Sequence, residues 1–261
     1  MKKQVVWLGH NCWQLSLGTT HFLIDPYLSA PDAPCSAEDI SCHYILISHG
    51  HADHCADALT IARRTGATVI AMAEVADWFA KRGAKNVEPM NIGGMVPARI
   101  LSDAMGPAST NGVVLMTPAL HSSTMPDGSP GGNSCGFLLA VRPDGNNIDV
   151  EPESEVQPLR AMFADAFVAY FACDTGYFSE MSLLGLLGID AAFLPIGGRY
   201  TMGPSASLTA IDALKPRHVF PSHYGTWPPI EQKVNLWADA VRKYTTAIPQ
   251  VVTPGDVFTL G

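Results

Sequence analysis

The sequence predicts a mixed α/β (α+β) fold in which sheets of mixed strand direction are covered by helices, and three observations carry that expectation. The chain opens with short runs rich in Val, Leu, Ile and aromatics at 4–8, 12–17 and 21–25, separated by Gly9-His10-Asn11 and Gly18-Thr19-Thr20, the pattern of an antiparallel meander. From Tyr44 to Gly83 the pattern changes to strand, helix, strand, helix, the rhythm of units whose helices lie on a sheet. At 261 residues and 47% hydrophobic content, the chain is long for one core yet within the range of α/β domains that stay single. Residues 1–261 are therefore read as one domain.

The later elements follow from periodicity and punctuation. A helix over 56–64 sets Leu59, Ile61 and Ala62 on one side and Arg63-Arg64 on another, with Gly66 as a stop. A strand over 68–71 leads to a helix over 74–81 that turns Val75, Trp78 and Phe79 inward and ends at Gly83. Residues 86–112 are rich in Gly, Pro and Met and read mostly as connections, with strands whose positions the pattern does not fix, while 113–120 is a strand that delivers His121. The stretch 125–132, with its Pro and Gly, reads as a flexible loop over a site, and 135–141 as a strand. Residues 142–160 hold Glu151, Glu153 and Glu155 and almost nothing apolar, so they read as a solvated surface insertion. Strands over 167–173 and 191–196 come next, then a helix over 205–214 begun by Pro204, a strand over 218–220, a closing helix from about 230 to 244 and an edge strand over 257–260.

Charge and composition narrow the function. A net charge of −8 argues against a nucleic-acid surface, which needs a clustered excess of Lys and Arg. No stretch reaches the roughly 20 apolar residues of a spanning helix. No small-residue cleavage site follows the short apolar run after Lys2-Lys3. The expectation is a cytoplasmic protein without membrane insertion. The six cysteines form no CxxC pair, which fits a reduced chain, and Cys55 and Cys173 read as small buried residues beside more interesting neighbours.

The chemistry concentrates in Ser48-His49-Gly50-His51-Ala52-Asp53-His54. Three imidazoles and a carboxylate within six residues, after the buried run Tyr44-Ile45-Leu46-Ile47, offer nitrogen and anionic oxygen donors of the kind borderline divalent ions prefer. His49 and His51 alternate along an extended backbone, so one loop can serve two adjacent ion positions. His121, Asp174 and His223 each follow a predicted strand, where site residues commonly sit. Asp25 reads equally as a strand-ending turn residue or as a support for the histidine loop, and His10 as pocket lining or as a turn-closing residue. In Gly197-Gly198-Arg199-Tyr200-Thr201-Met202-Gly203-Pro204, Arg199, Tyr200 and Met202 are candidate substrate-wall residues. Arg199 reads either as a two-point clamp for a carboxylate or phosphate or as a surface arginine on a glycine-rich turn.

Taken in order, Leu8-Gly9-His10-Asn11-Cys12, Phe22-Leu23-Ile24-Asp25-Pro26, the histidine loop, Ala119-Leu120-His121-Ser122-Ser123, Cys173-Asp174-Thr175-Gly176, Leu194-Pro195-Ile196-Gly197, Thr201-Met202-Gly203-Pro204 and Pro221-Ser222-His223-Tyr224-Gly225 span nearly the whole chain. This set resembles the metallo-β-lactamase superfamily of metal-dependent hydrolases. Within it the chain is similar to the branch of L-ascorbate-6-phosphate lactonase and, more distantly, to N-acylphosphatidylethanolamine phospholipase D. The resemblance implies a four-layer αββα sandwich of two mixed sheets flanked by helices. It further implies two divalent transition-metal ions, zinc first and manganese, iron or nickel as alternatives. His49, His51 and His121 would hold one ion, Asp53, His54 and His223 the other, with Asp174 bridging. A shared water brought to hydroxide near neutral pH would attack a lactone, ester or phosphorylated metabolite, and Asp53 and His54 would be the residues nearest the chemistry. Cys173 departs from the Gly or Ala usual there. Three alternatives remain open: a phosphodiesterase or nuclease similar to ribonuclease Z, a di-iron redox protein, and a metal-binding protein without catalysis. Di-iron relatives generally carry Glu where this chain has His51. Relatives of this kind are often homo-oligomers, with Trp227 and Trp237 reading equally as candidate contacts or as core.

Overall fold

A computed structural model describes residues 1–101, 109–148, 150 and 156–261. Two seven-stranded sheets organise it. The first takes β1 (Lys3–Trp7), β2 (Trp13–Leu17), β3 (Thr20–Ile24), β4 (Tyr44–Ile47), β5 (Thr68–Met72) and β6 (Val87–Met90), with a late strand beside β1. The second takes β7 (Met95–Ile100), β8 (Ser109–Pro118), β9 (Cys135–Val141), β10 (Phe167–Phe171), β11 (Ala191–Pro195), β12 (His218–Ser222) and β13 (Ile248–Pro249). The edge strand of the first sheet is β14 (Val257–Thr259), antiparallel to β1.

Each sheet is half antiparallel and half parallel. β1, β2 and β3 pair antiparallel and β3 through β6 parallel, and the second sheet repeats the plan with β7 through β10 antiparallel and β10 through β13 parallel. Parallel neighbours need crossovers, and helices supply them except between β3 and β4, where a loop does. Here α1 (Ala52–Cys55) and α2 (Ala58–Thr65) connect β4 to β5, and α3 (Ala73–Lys81) connects β5 to β6. α4 (Leu159–Met162) precedes β10, α5 (Met181–Leu184) follows it, α6 (Pro204–Leu214) joins β11 to β12, and α7 (Val234–Tyr244) joins β12 to β13.

Burial follows from this arrangement. β2 alternates, as a strand covered on one face does, whereas β9, β10 and β11 are buried at every position, as strands covered on both faces are. The sheets meet through Trp13, whose ring lies 4.7 Å from Phe193 and 5.7 Å from Phe220 and whose Nε1 donates to Ser222 Oγ at 3.1 Å. Phe171, Phe193 and Phe220 stack side by side across neighbouring strands. Among the described residues no helix is long and apolar enough to cross a membrane.

Several elements differ from the sequence reading. The helix expected over 56–64 begins two residues later, at Ala58, and Asp57 just ahead of it accepts from Ser29 N (2.8 Å) and Ser29 Oγ (3.0 Å). Residues 86–112 contain β6 and β7, the strands that the sequence left unplaced. The loop over 125–132 is tied down: Met125 is buried, and Asp127 accepts from Trp78 Nε1 at 3.0 Å and pairs with Arg82. The closing helix starts at Val234, after a 3₁₀ turn over Pro228–Ile230. In the region expected as an insertion, Arg142 folds back to the carbonyls of Asn147 and Met162 and Ile148 is buried. Glu151, Glu153 and Glu155 lie outside the described residues. Of the two readings of Trp237 the structure gives the core one, with Nε1 donating to Ser207 Oγ at 2.9 Å.

Candidate metal centre

The histidine loop leaves β4 and is shaped by a buried carboxylate. Asp25, at the end of β3, accepts from Ser48 N (2.8 Å), Ser48 Oγ (2.6 Å) and Asn11 Nδ2 (2.9 Å), and its Oδ2 lies 2.8 Å from His54 Nδ1. A carboxylate accepts only, so His54 Nδ1 carries the hydrogen and its Nε2 lone pair faces the opposite way. Ser48 has given its one hydroxyl hydrogen to Asp25, so at 2.9 Å it accepts from His49 Nδ1–H. His49 Nε2 is thereby left as a lone pair, 2.9 Å from His51 Nδ1. Gly50 admits no side chain, because a Cβ there would meet Met125 Sδ at 2.6 Å and its backbone N at 2.9 Å.

The second sheet completes the centre from three strand ends: His121 after β8, Asp174 after β10 and His223 after β12. Asp174 Oδ2 lies 3.0 Å from His223 Nε2, 3.3 Å from His54 Nε2 and 3.5 Å from His121 Nε2. Despite that proximity, His54 Nε2, His223 Nε2 and Asp174 Oδ1 are buried without a hydrogen bond. Buried polar atoms left unpaired cost free energy, and several aimed at one small volume fit a cation. Donor atoms within 4.8 Å of one another form three groups: His49, His51 and His121; His49, His54 and Asp174; and His10, Asp53, His54 and His223. The residues present therefore fit divalent ions.

Electrostatics agree with that fit. Burial pushes the His49 and His121 imidazoles below their usual range, which keeps them neutral donors. Burial acts the same way on His54, but Asp174 and Asp25 outweigh it and hold His54 well above that range. Burial would raise the Asp174 carboxyl, yet His223 and His54 keep it well below the carboxylate range. The centre thus holds ionised oxygen and asks for positive charge where His54 faces Asp174.

Backbone conformation is part of the design. The non-glycine residues with positive φ among those described are His10, Asp25, Asp165, Cys173, Arg199, Lys215 and His223. His10, Asp25, Cys173 and His223 belong to the centre, where left-handed residues, costing about 1–3 kcal/mol each, persist only if their surroundings hold them. Gly197 belongs to the same constraint, since a Cβ there would collide with the His223 carbonyl.

Comparison with known proteins decides the family. A Beta-lactamase superfamily domain model matches residues 20–224. A UPF0173 metal-dependent hydrolase from Desulforamulus reducens is 37% identical, covering 98% of this chain and 100% of the relative. The chain belongs to the UPF0173 metal-dependent hydrolase family of the metallo-β-lactamase superfamily. A family member from Caldivirga maquilingensis is also 37% identical, over 97% of this chain and 96% of its own length. The solved structure of a metallo hydrolase from the archaeon Ignicoccus hospitalis superposes with a TM-score of 0.80 at 31% identity, covering 100% of this chain and 99% of that one. The paired mixed sheets with flanking helices are the metallo-β-lactamase fold.

In this UPF0173 chain the structure brings together His49, His51, Asp53, His54, His121, Asp174 and His223. A pocket of about 290 Å³ opens over them, lined by His51, Asp53, His121, Ser122, Asp174, Tyr200, His223 and Trp227. Asp25 lies beneath the loop, without exposure, rather than serving as a mere turn residue. Tyr200 is at the mouth, 54% exposed. Met202 is not a wall residue: it is 3% exposed and its backbone N donates to the Thr175 carbonyl at 2.9 Å. Arg199 is exposed, sits over the Tyr200 ring at 5.6 Å and is absent from the pocket lining. His10 is fully buried and lies behind the lining. Sequence reasoning missed Thr226 and Asp32, both linked to His10. Thr226 lies in the run after His223 and had that signal; Asp32, in a turn of the 25–43 connection, had none.

Proposed function

We propose that this chain is a dinuclear metal-dependent hydrolase of small, uncharged lactones or esters. His49, His51 and His121 would hold one ion and Asp53, His54 and His223 the other, with Asp174 placed between the two groups. The observation that carries the reading is the convergence of His54, His121 and His223 nitrogens on Asp174 Oδ2, with His54 Nε2 and His223 Nε2 buried and without a hydrogen bond. Zinc is the first expectation, with manganese, iron or nickel suited to the same donors. Divalent ions so held supply Lewis acidity toward water and toward the substrate carbonyl.

The chain's own groups account for the rest. Burial alone would raise the Asp53 carboxyl, but the His10 hydrogen bond and the His54 imidazole outweigh it and hold it below the usual range. Its side chain keeps 27% exposure toward the pocket, so the carboxylate can orient a water by accepting its hydrogen. Tyr200 and Trp227 offer flat apolar surface to a ring or acyl chain. No Lys or Arg lines the pocket among the described residues, which favours the lactone and ester over the phosphorylated metabolite also expected. The net charge of −8 points away from nucleic acid.

The test is a matched panel: a γ- or δ-lactone, an aryl ester, the corresponding phosphomonoester and a bis-aryl phosphodiester, each assayed with zinc, manganese, iron and nickel restored in turn. Lactone or ester turnover well above either phosphate substrate is expected. Preference for the phosphodiester would overturn the substrate class.

A further inference from the structure

His10 sits in the loop between β1 and β2, with no solvent exposure and a left-handed φ of 46°. Its backbone joins three parts of the molecule. The carbonyl accepts from Trp7 Nε1 and from the His223 amide, each at 3.0 Å, and its own amide donates to Asp32 Oδ2 at 3.2 Å. The ring spans two side chains, with Nε2 3.2 Å from Asp53 Oδ2 and Nδ1 2.9 Å from Thr226 Oγ1.

That position permits two roles. His10 clusters with Asp53, His54 and His223 closely enough to be another nitrogen donor to an ion. Alternatively, it holds Asp53 and leaves the ion to the others. Thr226 distinguishes them. Its hydroxyl has one hydrogen, and the acceptors in reach are His10 Nδ1 at 2.9 Å and Asp32 Oδ2 at 3.4 Å. The Asp53 carboxylate 3.2 Å from Nε2 only accepts, so the hydrogen of the neutral ring belongs on Nε2 and the Thr226 hydroxyl donates to Nδ1. Nδ1 is then an acceptor, and the neutral ring carries its hydrogen on Nε2, directed at Asp53. A nitrogen that carries a hydrogen has no lone pair for a cation.

We infer that His10 is a positioning residue: Thr226 fixes it as an Nε2–H donor that orients Asp53, while its carbonyl holds the backbone of His223. One buried residue thus aims two donors of the same ion position and withholds a further nitrogen from it, leaving room there for water or substrate. The inference rests on the metal-centre reading proposed above.

The test measures ion stoichiometry and affinity, with zinc as the probe and competition against a chromogenic chelator as the readout, on the full chain and on His10→Ala, His10→Gln, Thr226→Val and Thr226→Ser. Melting of the metal-free proteins reports folding. Wild type should hold two ions. His10→Ala should weaken one of them about 10- to 100-fold, the usual consequence of losing a group that orients a ligand, and leave the other unchanged. His10→Gln, whose amide nitrogen replaces the Nε2–H donor, should recover most of that loss. Thr226→Val should weaken the same ion, because Nδ1 is then free to take the hydrogen, and Thr226→Ser should not. If His10→Gln is as weak as His10→Ala while Thr226→Val matches wild type, His10 is a ligand and the inference fails. If His10→Ala folds and holds both ions at wild-type affinity, His10 has no role in the centre. A wild type that binds no zinc would overturn the metal-centre reading itself. Should His10→Ala fail to fold, His10→Gln and Thr226→Val carry the same distinction.

Discussion

The two sheets contribute to the centre in different ways. The first delivers His49, His51, Asp53 and His54 from one loop, with its support nearby in Asp25, Ser48 and Asn11. The second delivers His121, Asp174 and His223 singly, from three strand ends that meet only because β8, β10 and β12 lie in register within one sheet. The first half of the site is thus a local structure with its own hydrogen-bond shell. The second is a consequence of the whole fold, held by strand pairing and by left-handed turns at Cys173 and His223.

Replacing one residue from each side separates these dependencies. Asp174→Asn removes the charge shared by both halves and should have the largest effect: fewer than two ions per chain, and an affinity loss exceeding the roughly 10- to 100-fold typical of outer residues. Two tightly held ions with full turnover would break the comparison at its centre. Asp25→Ala acts on the first sheet alone. It strands the Ser48 amide and hydroxyl, the Asn11 amide and His54 Nδ1–H, so denaturant titration of the metal-free protein should show a loss of about 3–5 kcal/mol. A loss below about 1 kcal/mol would mean that the loop does not depend on its buried carboxylate.

A smaller effect distinguishes the ion positions by pH. Metal ligands must be unprotonated, so acid competes with ions. His54, held above the usual histidine range by Asp174 and Asp25 against its burial, accepts a proton at higher pH than His49, which burial holds below that range. On lowering the pH, the ion bound by His54 should leave first and the one bound by His49 later, giving two steps in a release curve followed by a zinc dye. A single step, or the reverse order checked with His54→Gln, would contradict this assignment.

These contrasts also explain what the sequence could and could not convey. The histidine loop was readable because its donors are neighbours, and His121, Asp174 and His223 because each ends an apolar run that becomes a strand. β6 and β7 were hidden by Pro89 and Pro97, which sheets tolerate on edge strands, and both strands are edges of their sheets. Asp57, just ahead of α2, bonds Ser29, 28 residues away. Met202 looked like a wall residue because its run is glycine-rich and polar, but its backbone is tied to Thr175 and its side chain turns into the core. The partners of His10 lie still further apart: Thr226 and Asp32 are separated by 194 residues. Contacts across such distances are made by the folded sheets and leave no local pattern.

The most direct test of the account is elemental analysis of the purified, unchelated wild-type chain beside Asp174→Asn. Two transition ions per wild-type chain, with fewer in the variant, are predicted. No bound metal in the wild type, even after reconstitution, would contradict the assignment of His49, His51, Asp53, His54, His121, Asp174 and His223 as a metal centre.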